Sequence, residues 1–184
     1  MAGCYIGNAN GPRVEIIGDS ITFLASARIA STLEPAHSIE VNVVPGVTIA
    51  GQLGGMSSAA AEQPPPTDWI VNLGTNDPLD NDTAWRSGSD QMLAVTSSAR
   101  CVVLVTNNTT ADTLKGHPDA HVATEENALI RTLARSYPNH YLWIDWNGLV
   151  QTHPRWLQAD TVHPRILGQR KLAKWYGLAL STCP

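Results

Sequence analysis

Five short apolar runs, at residues 14–17, 39–44, 69–73, 101–106 and 141–144, alternate with segments of helical spacing at 21–33, 48–61, 84–98, 122–136 and 164–180. The runs are nearly uninterrupted and rich in Val and Ile, as expected for strands covered on both faces rather than one. Strands of that kind need helices above and below them, and the strand–helix alternation implies parallel pairing through right-handed crossovers. The pattern predicts a three-layer α/β/α sandwich around a parallel sheet of about five strands in flavodoxin-like order. At 184 residues the chain is read as a single domain spanning 1–184, large enough for a substantial core.

In an open parallel sheet, ligands bind beyond the carboxyl ends of the strands, so the residues that end each strand matter most. The first run stops at Gly18-Asp19-Ser20 and a helical pattern follows at once. A serine at a helix start has an exposed hydroxyl and a backbone N–H with no partner inside the helix, which suits a nucleophile; serine is also a common N-cap. The second run leads into Pro45-Gly46-Val47-Thr48 and the third into Gly74-Thr75-Asn76-Asp77. The last helix is entered through Asp160-Thr161-Val162-His163-Pro164. Acyl transfer through serine needs a base, a group that orients the base, and donors for the oxyanion. All of these residue types stand on the predicted site edge or at the entry to the last helix.

These four blocks, in this order and spanning nearly the whole chain, resemble the SGNH, or GDSL, family of hydrolases. The resemblance implies a three-layer fold of esterases, lipases, thioesterases and carbohydrate deacetylases working without metal or cofactor. It implies Ser20 as nucleophile, His163 as base and Asp160 as the orienting carboxylate. The oxyanion would be held by the backbone N–H groups of Ser20 and Gly46 and by the Asn76 side-chain amide. Thr161 stands where many members carry glycine, and Val47 where Asp is common. Ile144-Asp145-Trp146, with the Asp-x-Val-His-Pro block, is similar to SGNH domains attached to membrane acyltransferases of bacterial envelopes, which handle O-acetyl groups on polysaccharides. The implied activity is cleavage of a small acyl ester. Acyl transfer to, or deacetylation of, a carbohydrate, and a non-catalytic binding module on the same scaffold, are the alternatives.

Other features bound this reading. A net charge of −4 gives no reason to expect nucleic acid or an anionic membrane as partner, and no run of 18 apolar residues is present. The N-terminus has no recognisable signal peptide, which favours the cytosol, although a mature exported fragment would read the same. Cys101 reads as a buried thiol, and a bridge between Cys4 and Cys183 is conceivable from their places near the two termini. Asp19 and Asp77 read as turn supports, and Gly51 is a rival to Gly46. Trp85 and Trp156, in polar surroundings, are candidates to line a sugar or acyl groove. His117 and His121 lie four apart, but Pro118 between them disrupts a shared helical face. Glycosylation acceptor patterns occur at Asn81, Asn107 and Asn108, and such short matches are frequent by chance.

Overall fold

The computed structural model describes residues 4–79 and 84–184. In chain order the elements are β1 (Ile6–Gly7), β2 (Arg13–Gly18), α1 (Ser20–Leu33), β3 (Ser38–Val43), α2 (Ile49–Ala60), β4 (Asp68–Asn72), α3 (Trp85–Thr96), β5 (Cys101–Val105), α4 (His121–Ser136), β6 (Tyr141–Ile144), α5 (Trp146–Thr152) and α6 (Ile166–Leu180). They form one sheet in the order β1-β3-β2-β4-β5-β6. All neighbours run parallel except β1, which pairs antiparallel with β3. The five parallel strands follow the expected flavodoxin-like order. The sixth, β1, is only two residues long and had no periodicity to reveal it.

The apolar runs are buried on both faces because alternate residues feed two separate cores. Val14, Ile16, Ile39, Ile70 and Val103 pack with Ala25, Ile29 and Leu33 of α1 and Leu172 and Tyr176 of α6. Ile17, Trp69, Val71, Val102 and Leu104 pack on the other face with Ile49 and Met56 of α2 and Met92 of α3. Ile16, Ile17, Ile29, Ile39 and Ile70 are fully shielded from solvent. Truncating any of them to alanine costs about 2–5 kcal/mol, a large share of a domain's stability.

Several sequence expectations change here. Cys101 is not a free thiol: it forms a disulfide with Cys183, while Cys4 is free and exposed. The bridge ties Cys183, three residues beyond α6, to the start of β5, where the Arg100 guanidinium also donates to the Pro184 carbonyl at 2.9 Å. Trp85 and Trp156 are largely buried, at 5% and 8% exposure. Trp156 stacks on His153 at 4.4 Å between ring centroids and lies against Trp146. The last helix begins at Ile166, because Pro164 instead bridges Leu157 in a short antiparallel contact. Asn107 is buried, while the acceptor pattern at Asn81 lies outside the described residues. No helix among the described residues is long and apolar enough to cross a membrane.

Candidate active site

The register of the sheet brings the first three blocks together. Gly18, the last residue of β2, pairs with Val43 of β3 on one side and Asn72 of β4 on the other. The loops carrying Ser20, Gly46 and Asn76 therefore leave three adjacent strands at the same edge. Asp19, not Ser20, is the N-cap of α1: its Oδ1 accepts from the Ile21 N–H at 2.8 Å. Ser20 is thus the first helical residue, and its N–H is one of those that no helical carbonyl can satisfy.

His163 reaches this edge from the segment before α6. Its Nε2 lies 3.0 Å from Ser20 Oγ, and its Nδ1 lies 2.8 Å from Asp160 Oδ2. The other Asp160 oxygen, Oδ1, accepts from the backbone N–H groups of Val162 at 3.0 Å and His163 at 2.9 Å. Desolvation alone would push the Asp160 carboxyl up. It is outweighed by the hydrogen bonds from the His163 ring and the two N–H groups and by the charge of His163, so the group is held below its ordinary range. Asp160 stays ionised where an imidazolium would need it.

Thr161 makes this geometry possible in an unusual way. Its φ is +58°, the one non-glycine residue with positive φ among those described. A β-branched side chain in that region costs roughly 1–3 kcal/mol and persists only where surroundings hold it. Three hydrogen bonds do so. The Thr161 hydroxyl donates to the Asp160 carbonyl at 2.7 Å and accepts from the Asp112 N–H at 2.7 Å, and Asn108 Nδ2 donates to the Thr161 carbonyl at 2.8 Å.

The other loops at this edge are equally organised. Gly46 has φ +78°, with open space where a Cβ would point, so it is the backbone conformation that favours glycine there. Gly51, its rival, sits inside α2 and donates its N–H to Thr48 Oγ1, the cap of that helix. Asn76 Nδ2 donates to the Val47 carbonyl at 2.9 Å and lies 3.4 Å from Asp19 Oδ2. Asp77 accepts from the Ile49 N–H, joining this loop to the start of α2. Gly74 has φ +106°, and a Cβ there would stand 2.3 Å from Asn107 Nδ2 and 2.6 Å from Glu126 Oε2. The loop therefore rests directly on the buried Asn107–Glu126 hydrogen bond of 2.8 Å, and only glycine fits. Asp19 is fully buried, and desolvation pushes its carboxyl up to about 6 despite the Ile21 N–H, the nearby Thr75 hydroxyl and the charge of His163.

Five candidate residues, Ser20, Gly46, Asn76, Asp160 and His163, thus meet on one rim. Asn108, Asp112, Asn107 and Glu126, which support them, carried no sequence signal for that role: Asn107 and Asn108 stood out only as acceptor patterns, and all four lie in or after the long aperiodic loop. His117 and His121 take no part, and no group of three or more His, Cys, Asp or Glu side chains among the described residues is arranged to hold a metal.

No protein-family model matches the sequence, and no curated protein matches it. Solved structures do. The C-terminal catalytic domain of Streptococcus pneumoniae peptidoglycan O-acetyltransferase A superposes with a TM-score of 0.77 at 21% identity, covering 94% of each chain. The lipase/acylhydrolase from Enterococcus faecalis gives 0.74 at 20% identity, over 91% of this chain and 94% of that one. The W215I form of the acetyl xylan esterase Axe2 from Geobacillus stearothermophilus gives 0.71 at 16% identity, over 97% and 98%. The chain has the SGNH-hydrolase fold.

Proposed function

We propose that residues 1–184 form one catalytic domain, a serine esterase that cleaves a small acyl ester through an acyl-enzyme. The observation that carries this reading is the continuous relay from Ser20 Oγ to His163 Nε2 at 3.0 Å and from His163 Nδ1 to Asp160 at 2.8 Å. Ser20 Oγ attacks the acyl carbon while His163 Nε2 takes its proton, and Asp160 stabilises the imidazolium. The carbonyl oxygen becomes an oxyanion facing the Ser20 and Gly46 N–H groups and the Asn76 amide. Collapse expels the alcohol, which leaves with the proton from His163. Water, deprotonated by the same nitrogen, then attacks the acyl-serine, and Ser20 recovers its proton.

Ser20 and His163 are only partly covered, so the leaving alcohol can belong to a large molecule such as a polysaccharide. The likeness to an O-acetyltransferase domain favours a second outcome for the same acyl-enzyme, attack by a sugar hydroxyl instead of water.

Hydrolysis of p-nitrophenyl acetate by the wild type and by Ser20→Ala tests the reading. The expected result is turnover by the wild type alone and a single fluorophosphonate adduct on Ser20 by intact mass. Equal turnover, or no adduct, would overturn it. An acetylated glycan formed above the hydrolysis background would identify transfer.

A further inference from the structure

We infer that Thr161 is a positioning residue, whose hydroxyl and carbonyl fasten the Asp160–His163 turn to the loop after β5 so that His163 is aimed at Ser20. The inference rests on the catalytic reading above for its kinetic consequence, but its structural content stands separately.

The turn has little else to hold it. It projects from a short hairpin closed by Gln158 N–H to the His163 carbonyl at 2.8 Å and Thr161 N–H to the Gln158 carbonyl at 3.1 Å. Asp160 is exposed, and Val162 is the only buried apolar side chain between Asp160 and His163. The Asp160 carboxylate must nonetheless accept three hydrogen bonds at once, two from the backbone of its own turn. That requires residue 161 to hold the left-handed conformation, where a chain of ordinary residues would relax. The Thr161 hydroxyl spans from the Asp160 carbonyl to the Asp112 N–H, and Asn108 clamps the carbonyl on the other side of the same residue. The clamp is itself braced. Asn108 Oδ1 accepts from the Thr110 N–H and hydroxyl, and the Asp112 carboxylate pairs with Lys115. Thus the loop at 108–112 does for the turn what a glycine would do by lacking a Cβ, and it adds rigidity that glycine cannot supply.

This separates two roles by a single substitution. Thr161→Gly removes the conformational strain and keeps the carbonyl that Asn108 binds, but it deletes both hydroxyl contacts and frees the backbone. Thr161→Ser keeps the hydroxyl. If residue 161 merely has to reach positive φ, the glycine variant equals or exceeds the wild type. If the hydroxyl aims the turn, Thr161→Gly lowers kcat about tenfold with KM within about twofold, since small misplacements of a catalytic group are costly. It also speeds hydrogen exchange at the Val162 and His163 amides about tenfold, because the Asp160 carboxylate that accepts from both is no longer held in place. Thr161→Ser restores both. A glycine variant with wild-type kcat and amide exchange would overturn the inference, and so would equal losses in the glycine and serine variants. A wild type that neither hydrolyses esters nor labels at Ser20 would defeat the catalytic reading instead, while amide exchange in the two variants would still decide whether the hydroxyl fixes the turn.

Discussion

Asn76 Nδ2 lies 2.9 Å from the Val47 carbonyl and 3.4 Å from the Asp19 carboxylate, so both hydrogens of its amide are tied to two other loops, one firmly and one at the limit of a hydrogen bond. Asp19 also caps α1 beneath Ser20. One buried carboxylate therefore supports both the helix start that carries Ser20 and the Asn76 amide.

Asn76→Ala should lower kcat by about 10²–10³ with little change in KM, the usual loss for one oxyanion donor. Steady-state kinetics on a short-chain nitrophenyl ester would check this. A variant that loses KM and keeps kcat would place Asn76 in ground-state binding instead.

Asp19→Asn should also lower kcat, because an amide turned toward the donors of Ile21 and Asn76 satisfies one and opposes the other. The pH profile adds a sharper signature. The kcat/KM of the wild type should rise from pH 5 to 8 as an imidazole base loses its proton. Asp19, pushed up to about 6, ionises in the same interval, so the acid limb should be steeper than one proton. In Asp19→Asn it should fall to a slope of one, and an unchanged slope would mean that Asp19 does not report on the site.

Glu15 carries a different pH dependence, in stability. Its carboxyl is fully buried beside Glu40 of the neighbouring strand, with the Tyr5 hydroxyl donating to it at 3.2 Å and Arg13 and Glu62 close by. Desolvation, followed by the Glu40 charge, pushes it from an ordinary 4.5 up to about 8. Folding then takes up a proton between those values. The stabilising protonated state is fully present below about 4.5, and stability falls as pH rises toward 8. Glu15→Gln should flatten this slope and gain roughly 2–4 kcal/mol at pH 9, read from urea midpoints across pH 4–9. Parallel curves for the two proteins would contradict it.

The Cys101–Cys183 bridge closes a separation of 82 residues, and such a loop is worth about 4 kcal/mol in the chain-entropy account. Disulfides of this kind persist in oxidising surroundings. Unfolded without reductant, the protein should take up one iodoacetamide, at Cys4, and three after reduction. Reduction should lower Tm while leaving the activity of the folded fraction intact, since the bridge lies away from the site. Three adducts without reductant would show the bridge absent.

The parallel strands and their helices were legible because two-faced burial leaves unbroken apolar runs. The same logic hid β1, whose two exposed residues pair with Ile39 and Ser38 of β3 and carry no apolar pattern. It also hid α5, a seven-residue helix started by Asp145, whose side chain accepts from the Gly148 N–H. Ser20, Gly46, Asn76, Asp160 and His163 could be named because the ends of strands are fixed once the strands are. Their supports could not. Thr161 depends on Asn108 and Asp112, about 50 residues away in sequence, and spacing says nothing about distance. Trp156 misled because polar neighbours in sequence do not determine what a side chain packs against. Cys101 misled because a strand-opening position is as compatible with a bridge as with a buried thiol.

The attachment of the last residues to the start of β5 has a practical side. Cys101 opens its strand at the amino edge of the sheet, and Ser20, Gly46 and Asn76 stand at the carboxyl edge. A linker, label or solid support joined after Pro184 therefore departs from the side of the molecule facing away from Ser20. A protein immobilised there would present Ser20 outward, toward a bulky polymer in solution.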